Sequence, residues 1–203
     1  MFLTNARCPK DNVVGGVNNG WKVAMTTLGF ERGTSATTGY RRFEKELNDV
    51  IALARRTGAA ADPNVRQGLA RAWSKVQIMR VTGLRSLAGV LHGKSMSDEQ
   101  RRGISALGSL NKMFWSEYHQ EIMNLAIDIQ GAAGQILTGR SDIEETVPGY
   151  GRRRTADDYP ASALQSSFFF SRSETIWGGS AEIQRNIVGE RVLGLPREPN
   201  ARS

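Results

Sequence analysis

Apolar side chains recur at steps of three and four through most of the chain, the signature of helices that each bury one face. From about Trp21 to Arg56, the residues Trp21, Met25, Leu28, Arg32 and Ser35 share a face, with Glu31 at its edge beside Ala24. That spacing predicts one long helix whose Trp21–Leu28 face points inward. Asp62-Pro63 then supplies an N-cap and a first-turn proline for a second helix. Its stripe is Val65, Leu69, Ala72, Val76, Met79, Gly83, Leu87 and Val90, and Gly93 ends it. Ser97 with Gln100 forms a capping box for a third helix, with Ile104, Leu107, Leu110, Phe114, Tyr118, Ile122, Leu125 and Ile129 in register. Three helices of about 30 residues joined by short loops pack antiparallel as a bundle.

The flanks read differently. Residues 1–16, MFLTNARCPKDNVVGG, have no helical period and read as the tail of a strand plus a loop, an odd opening for a free-standing domain. Residues 17–203 then form the helical-bundle domain. The stretch from Gly131 to Pro160 is irregular and rich in Gly, Arg and Asp. A short helix from about Ala161 to Ser171, a turn at Gly178-Gly179 and a last helix from Ser180 to about Val192 follow, stopped by Gly194 and Pro196. The expected fold class is all-α.

Composition narrows the options. At 203 residues, with 39% hydrophobic and 23% charged side chains, the chain has the profile of an ordinary globular protein with one sizeable core. The net charge of +7 raises the question of nucleic acid. Yet the cations are scattered among acids, and the one run of three, Arg152-Arg153-Arg154, has only Tyr150 as an aromatic neighbour. It reads as a solvated loop or a contact with an anionic ligand, and nucleic acid is not an expected partner. No apolar run approaches the roughly 18 residues of a membrane span, and no secretory signal opens the chain. A single cysteine, Cys8, makes no internal disulfide. These features point to the cytoplasm.

Candidate chemistry is sparse. His92 and His119 lack ligand partners at a metal-binding spacing, so no metal site is expected. No nucleophile elbow, Walker loop or dinucleotide fingerprint is present. Glu31-Arg32, on a face read as interior, is the exception, because a buried carboxylate and guanidinium must be paired or used. A structural ion pair and a working carboxylate both satisfy that requirement.

The segment Ser173-Glu174-Thr175-Ile176-Trp177-Gly178-Gly179-Ser180-Ala181-Glu182-Ile183-Gln184-Arg185-Asn186, continuing to Pro196, closely resembles the closing segment of acyl-CoA dehydrogenases. Asn12 to Gly15, then Asn19-Gly20-Trp21 to Leu28-Gly29-Phe30-Glu31-Arg32, resembles their junction between a middle β-domain and a C-terminal bundle. The resemblance implies an antiparallel four-helix bundle, here as a fragment, from enzymes that use FAD to oxidise the α–β bond of an acyl-CoA thioester. It implies a tetramer built from dimers, as a homo-oligomer or a hetero-oligomer with related subunits.

The resemblance also assigns roles. Many members carry the proton-abstracting Glu in a Tyr-Glu-Gly-Thr turn, and the matching turn here is Trp177-Gly178-Gly179-Ser180, which has Gly178 in the base position. A second group places the base on the first bundle helix just before an arginine, which Glu31 before Arg32 matches. Arg32, Trp177, Gly178 and Gly179 are then expected around the substrate and flavin. The family's Arg-x-Thr-Phe-Gly, which reaches the neighbouring subunit's FAD, is Arg55-Arg56-Thr57-Gly58 here, without the phenylalanine. Its Gln-Ile-Leu-Gly-Gly-x-Gly becomes Asp128 to Gly134, with Asp128 replacing glutamine and Gly131 and Gly134 retained. Ser180 and Glu182 match positions that approach the cofactor. The rival expectation is a non-catalytic structural subunit of a heteromeric acyl-CoA dehydrogenase.

Overall fold

The computed structural model describes residue 2, residues 4–136 and residues 163–197; within these spans the side chains of residues 29–37, 94, 102, 105 and 163 lie outside the description. The expected irregular loop beyond 136, including Arg152-Arg153-Arg154, lies outside the described residues. Among the described residues six α-helices carry the fold: α1 Gly20–Thr38, α2 Tyr40–Thr57, α3 Pro63–His92, α4 Asp98–Gln130, α5 Ala163–Glu174 and α6 Ala181–Ile187. A π-helical turn, Val188–Val192, extends α6. None of the described helices is long and apolar enough to cross a membrane.

The caps read from the sequence form as expected. Asp62 accepts a hydrogen bond from the Asn64 amide at 2.7 Å, with Pro63 in the first turn of α3. Ser97 and Gln100 close both halves of the capping box at the start of α4. Each cap satisfies amide donors that the helix itself leaves unpaired.

Two expectations need correction. Among the described residues no strand is present, and residues 4–19 are irregular apart from a 3-10 turn at Lys10–Asn12. The single long first helix divides at Gly39, which keeps right-handed helical angles (φ −57°, ψ −30°), so α1 leads into α2 with one residue between them. No proline or left-handed glycine marks that break, and periodicity alone cannot register it.

The core comes from four helices: Phe43, Leu47, Val50, Leu53 and Ala54 of α2; Ala72, Val76 and Met79 of α3; Tyr118, Ile122, Met123, Ala126 and Ile129 of α4; and Leu164 of α5. Fully burying a side chain such as Leu47 or Ile122 contributes roughly 1.5–3 kcal/mol. The α3 and α4 helices run antiparallel. A Cβ on Gly68 would lie 2.9 Å from Leu125 Cδ2, and one on Gly89 would lie 2.5 Å from Ile104 Cγ2.

The apolar stripes extend beyond this core. Trp21 is 77% exposed and Met25 41%, so the first turns of the α1 face expected inside are open, while Leu28 further along is half-buried. Leu87 and Val90 of α3 and Leu110 of α4 are also exposed despite falling in register. Period tells which face avoids water, not which element covers it, and among the described residues no helix covers these side chains.

Candidate active site

Between the end of α5 and the start of α6 the chain makes a tight turn through Trp177, Gly178 and Gly179. Both glycines have left-handed φ, +68° and +95°, conformations that L side chains rarely adopt. At Gly179 a Cβ would also lie 2.7 Å from Gln184 Nε2. The amides of Ile176 and Trp177 both donate to Ser173 O at 3.0 Å, and the Ala181 amide donates to Thr175 O at 3.3 Å. Ser180 caps α6 by accepting from the Ile183 amide at 3.4 Å.

Side chains from α4 hold the turn from beneath. Lys112 Nζ donates to Glu174 O at 2.9 Å and to Gly179 O at 2.7 Å, bridging the two ends of the turn. Gln120 Nε2 donates to Thr175 Oγ1 at 2.9 Å, and Gln184 Nε2 of α6 donates to Gly178 O at 2.9 Å. The Trp177 indole donates to Ser173 Oγ at 3.1 Å, and its ring lies 5.7 Å from that of Trp115. Trp115 stacks on Phe43 at 5.8 Å, and the Arg42 guanidinium sits over Phe43 at 4.4 Å. Burial pulls Lys112 below the usual lysine range, while the Glu174 carboxylate pulls the other way.

Deeper still, three buried ionisable residues from three helices meet. His119 of α4 pairs through Nδ1 with Glu174 Oε2 of α5, and its Nε2 stands 3.2 Å from Glu46 Oε2 of α2. Arg42 reaches the other Glu174 oxygen at 3.5 Å. Burial alone would depress the His119 pKa. The hydrogen bond to Glu174 and the nearby charges of Glu174 and Glu46 overcome it and raise the imidazole to about 9. Its two acidic neighbours thus favour the protonated imidazole. The neighbouring Tyr118 hydroxyl is buried with no hydrogen-bond partner among the described residues, and burial together with Glu46 and Glu121 raises its pKa.

The sequence-predicted site residues fall into separate groups. Trp177, Gly178, Gly179, Ser180 and Glu182 gather at the turn and the first residues of α6. Glu182 is exposed, and its own amide and Ser180 hold its carboxyl below the usual range. Arg55 and Thr57 end α2, while Gly131 and Gly134 follow the end of α4, all at the far end of the bundle. The segment from Lys112 to Gln130 spans about 27 Å at a helical rise of about 1.5 Å per residue. Thr57 Oγ1 donates to Leu53 O at 3.1 Å, and Gly134 O accepts from Gln165 Nε2 at 2.9 Å. Glu31 and Arg32 lie on the backbone of α1, and their side chains are outside the described residues. A cleft of about 500 Å³ between α3 and α4, lined in part by Arg71, Lys75 and Tyr118, reaches Asp128 of the cofactor-like segment but none of the other predicted site residues. Among the described residues no group of His, Cys, Asp or Glu could hold a metal ion.

Sequence reading missed the cluster of Lys112, His119, Glu174 and Glu46. A signal was available. Glu46 sits in the Phe43–Leu47–Val50 stripe and His119 beside Tyr118 and Ile122, and a charge inside an apolar stripe must find a partner.

With this geometry in place, the chain can be set against known proteins. A family model described as acyl-CoA dehydrogenase, C-terminal domain, matches residues 18–193. Acyl-CoA dehydrogenase IpdE1 of Mycobacterium tuberculosis is 37% identical over 198 residues, which cover 98% of this chain and 44% of that protein. The protein of the same name from Mycolicibacterium smegmatis is also 37% identical, over 98% of this chain and 42% of its own length. A solved structure described as Tcur3481-Tcur3483 steroid ACAD superposes with a TM-score of 0.71 at 27% identity, covering 97% of this chain and 45% of that one. The chain thus spans less than half the length of these relatives.

Proposed function

The chain belongs to the acyl-CoA dehydrogenase family through its C-terminal domain, and on that premise we propose that it forms the bundle of an FAD-dependent enzyme that desaturates the α–β bond of an acyl-CoA. The proton-abstracting base is Glu31. The observation that carries this assignment is the Trp177–Gly179 turn, where two left-handed glycines leave no side chain able to take a proton. An α-proton next to a thioester is weakly acidic, so its removal needs a positioned carboxylate in a site that excludes water and stabilises the thioester oxygen. Glu31, on α1, takes that proton as the α–β double bond forms. Arg32 beside it orients the carboxylate without a chemical step of its own.

FAD, when bound, supplies the acceptor for the β-hydride. The residues present fit its diphosphate in part. Arg55 and Arg56 are exposed at the end of α2, and guanidinium groups suit an anion of that kind. The Thr57 hydroxyl fits less well, because it already donates to Leu53 O, and the Gly134 carbonyl, an acceptor already bonded to Gln165, offers an anion nothing. At the other end, Trp177, Ser180 and Glu182 border the reacting part of the site.

The relatives' greater length supports an assembly in which the remaining domains come from elsewhere in a longer polypeptide or from related subunits. The exposed apolar side chains Trp21 and Met25 of α1 and Leu87 and Val90 of α3 support the same reading. The description of the solved relatives makes a steroid-derived acyl-CoA the first substrate to assay, with fatty acyl-CoAs beside it. In the assembled enzyme, Glu31→Gln is expected to slow anaerobic flavin reduction by about 10²–10⁴-fold, the usual weight of a general base. Full activity in that variant would sink the assignment.

The two-component description of the solved relatives, together with the base-free turn, favours a second reading: a structural subunit beside a catalytic homologue. Under it, a related chain with its own base co-purifies and Glu31→Gln leaves the rate unchanged.

A further inference from the structure

We propose that Lys112, His119 and Glu174 are positioning residues that, with Glu46, hold the Trp177–Gly179 turn in one arrangement against α4. The turn cannot fix itself. Two consecutive glycines have left-handed φ, and glycine loses more conformational freedom on ordering than any other residue. Its own backbone bonds and Gln184 of α6 close it locally, and its anchorage to the bundle comes from below. Lys112 bridges the carbonyls at both ends, and Glu174, which supplies one of them, is the last residue of α5. The Glu174 carboxylate is in turn pinned by His119 from α4 and Arg42 from α2, and His119 is backed by Glu46. The turn is thereby tied to three helices.

The chemistry of the cluster separates positioning from bulk stability. Well-packed apolar side chains of similar volume commonly stabilise a core as well as a buried ion cluster does, or better. What charges add is direction, since each has few geometries in which all its partners are met. Here that direction converges on one turn. What the turn faces depends on the dehydrogenase reading above; that the cluster holds it does not.

The test is hydrogen exchange on the full chain, with any co-purifying partner retained, comparing amides of residues 175–181 with those of α3. Lys112→Met and His119→Gln are expected to lower protection across 175–181 by about tenfold or more, the worth of one charged hydrogen bond, while α3 is unchanged. Lys112→Arg, which keeps charge and donors, is expected to restore most of it. A wild-type series from pH 7 to 10 covers the case in which a variant fails to fold. As His119 discharges between Glu46 and Glu174, with Arg42 and Lys112 still nearby, the turn is expected to lose protection before α3 does. Equal protection at the turn in wild type and folded variants, or loss of protection only together with α3, overturns the proposal. Where the assembly turns over acyl-CoA, the variants are expected to lower kcat with little change in KM; an unchanged kcat with a loosened turn removes the positioning role. Absence of turnover in the wild type tells against the dehydrogenase reading, while the exchange experiment still decides this one.

Discussion

His119 on α4 faces Glu46 on α2 with Nε2 3.2 Å from Oε2, and its opposite ring nitrogen is paired with Glu174. An imidazole held in this way is more basic in the folded chain than in the unfolded one. Its stabilising effect depends on its carrying a proton, and the sign of its pH dependence follows.

The folded pKa of about 9 lies above the unfolded value of roughly 6.5. The stabilisation is complete below the unfolded value and is lost as pH rises through about 9, on the order of a few kcal/mol in all. The thermal midpoint is expected to fall between pH 7 and pH 10, and to fall much less in His119→Gln. An NMR titration that finds the His119 ring neutral at pH 7 would remove the basis for this.

Lys112→Met deletes two hydrogen bonds from an ammonium to carbonyls. Hydrogen bonds to charged groups contribute about 1.5–3 kcal/mol each, partly offset here by the desolvation that depresses the lysine. A net loss of about 2 kcal/mol corresponds to a midpoint lower by about 4–8 °C for a chain of this size. Calorimetry of the variant beside Lys112→Arg measures it.

Glycines test the close approaches. Gly89→Ala places a methyl 2.5 Å from Ile104 Cγ2 and 2.8 Å from its Cδ1, so the whole isoleucine must turn, at a cost of about 1–3 kcal/mol. Gly103→Ala, also helical, meets nothing within 4 Å and is expected to stabilise by about 0.4–1 kcal/mol. Denaturation midpoints for the pair should move in opposite directions; movement in the same direction contradicts the α3–α4 packing.

For the cofactor end, Arg55→Ala in the assembled enzyme is expected to weaken FAD retention by about tenfold, equivalent to about 1.4 kcal/mol. Flavin absorbance of the purified assembly reads it directly. Thr57→Val is expected to leave flavin content unchanged, since its hydroxyl bonds within α2.

The helices were legible where local chemistry marks them. Asp62-Pro63 and the Ser97/Gln100 box fixed the starts of α3 and α4, because a cap satisfies its own neighbours and owes little to the rest of the fold. The division at Gly39 was not legible, since its angles remain helical. Trp21 and Met25 read as interior because periodicity is silent about what lies opposite. The turn at Gly178-Gly179 was visible from its glycines, but its supports, Lys112 and Glu174, are 62 residues apart, and no local pattern links them. His119 read as an unpartnered histidine for the same reason: its carboxylates lie on two other helices.

The wetted apolar flanks of α1 (Trp21, Met25) and of α3 (Leu87, Val90) govern how this polypeptide behaves in a tube. Each of those side chains keeps water ordered against it, and any surface that releases that water is gripped. Bare chains will therefore adhere to one another, to column resin and to detergent micelles, more tightly in warm, salty buffer than in cold, dilute buffer. Light scattering that grows with concentration is the bench signature of such a flank.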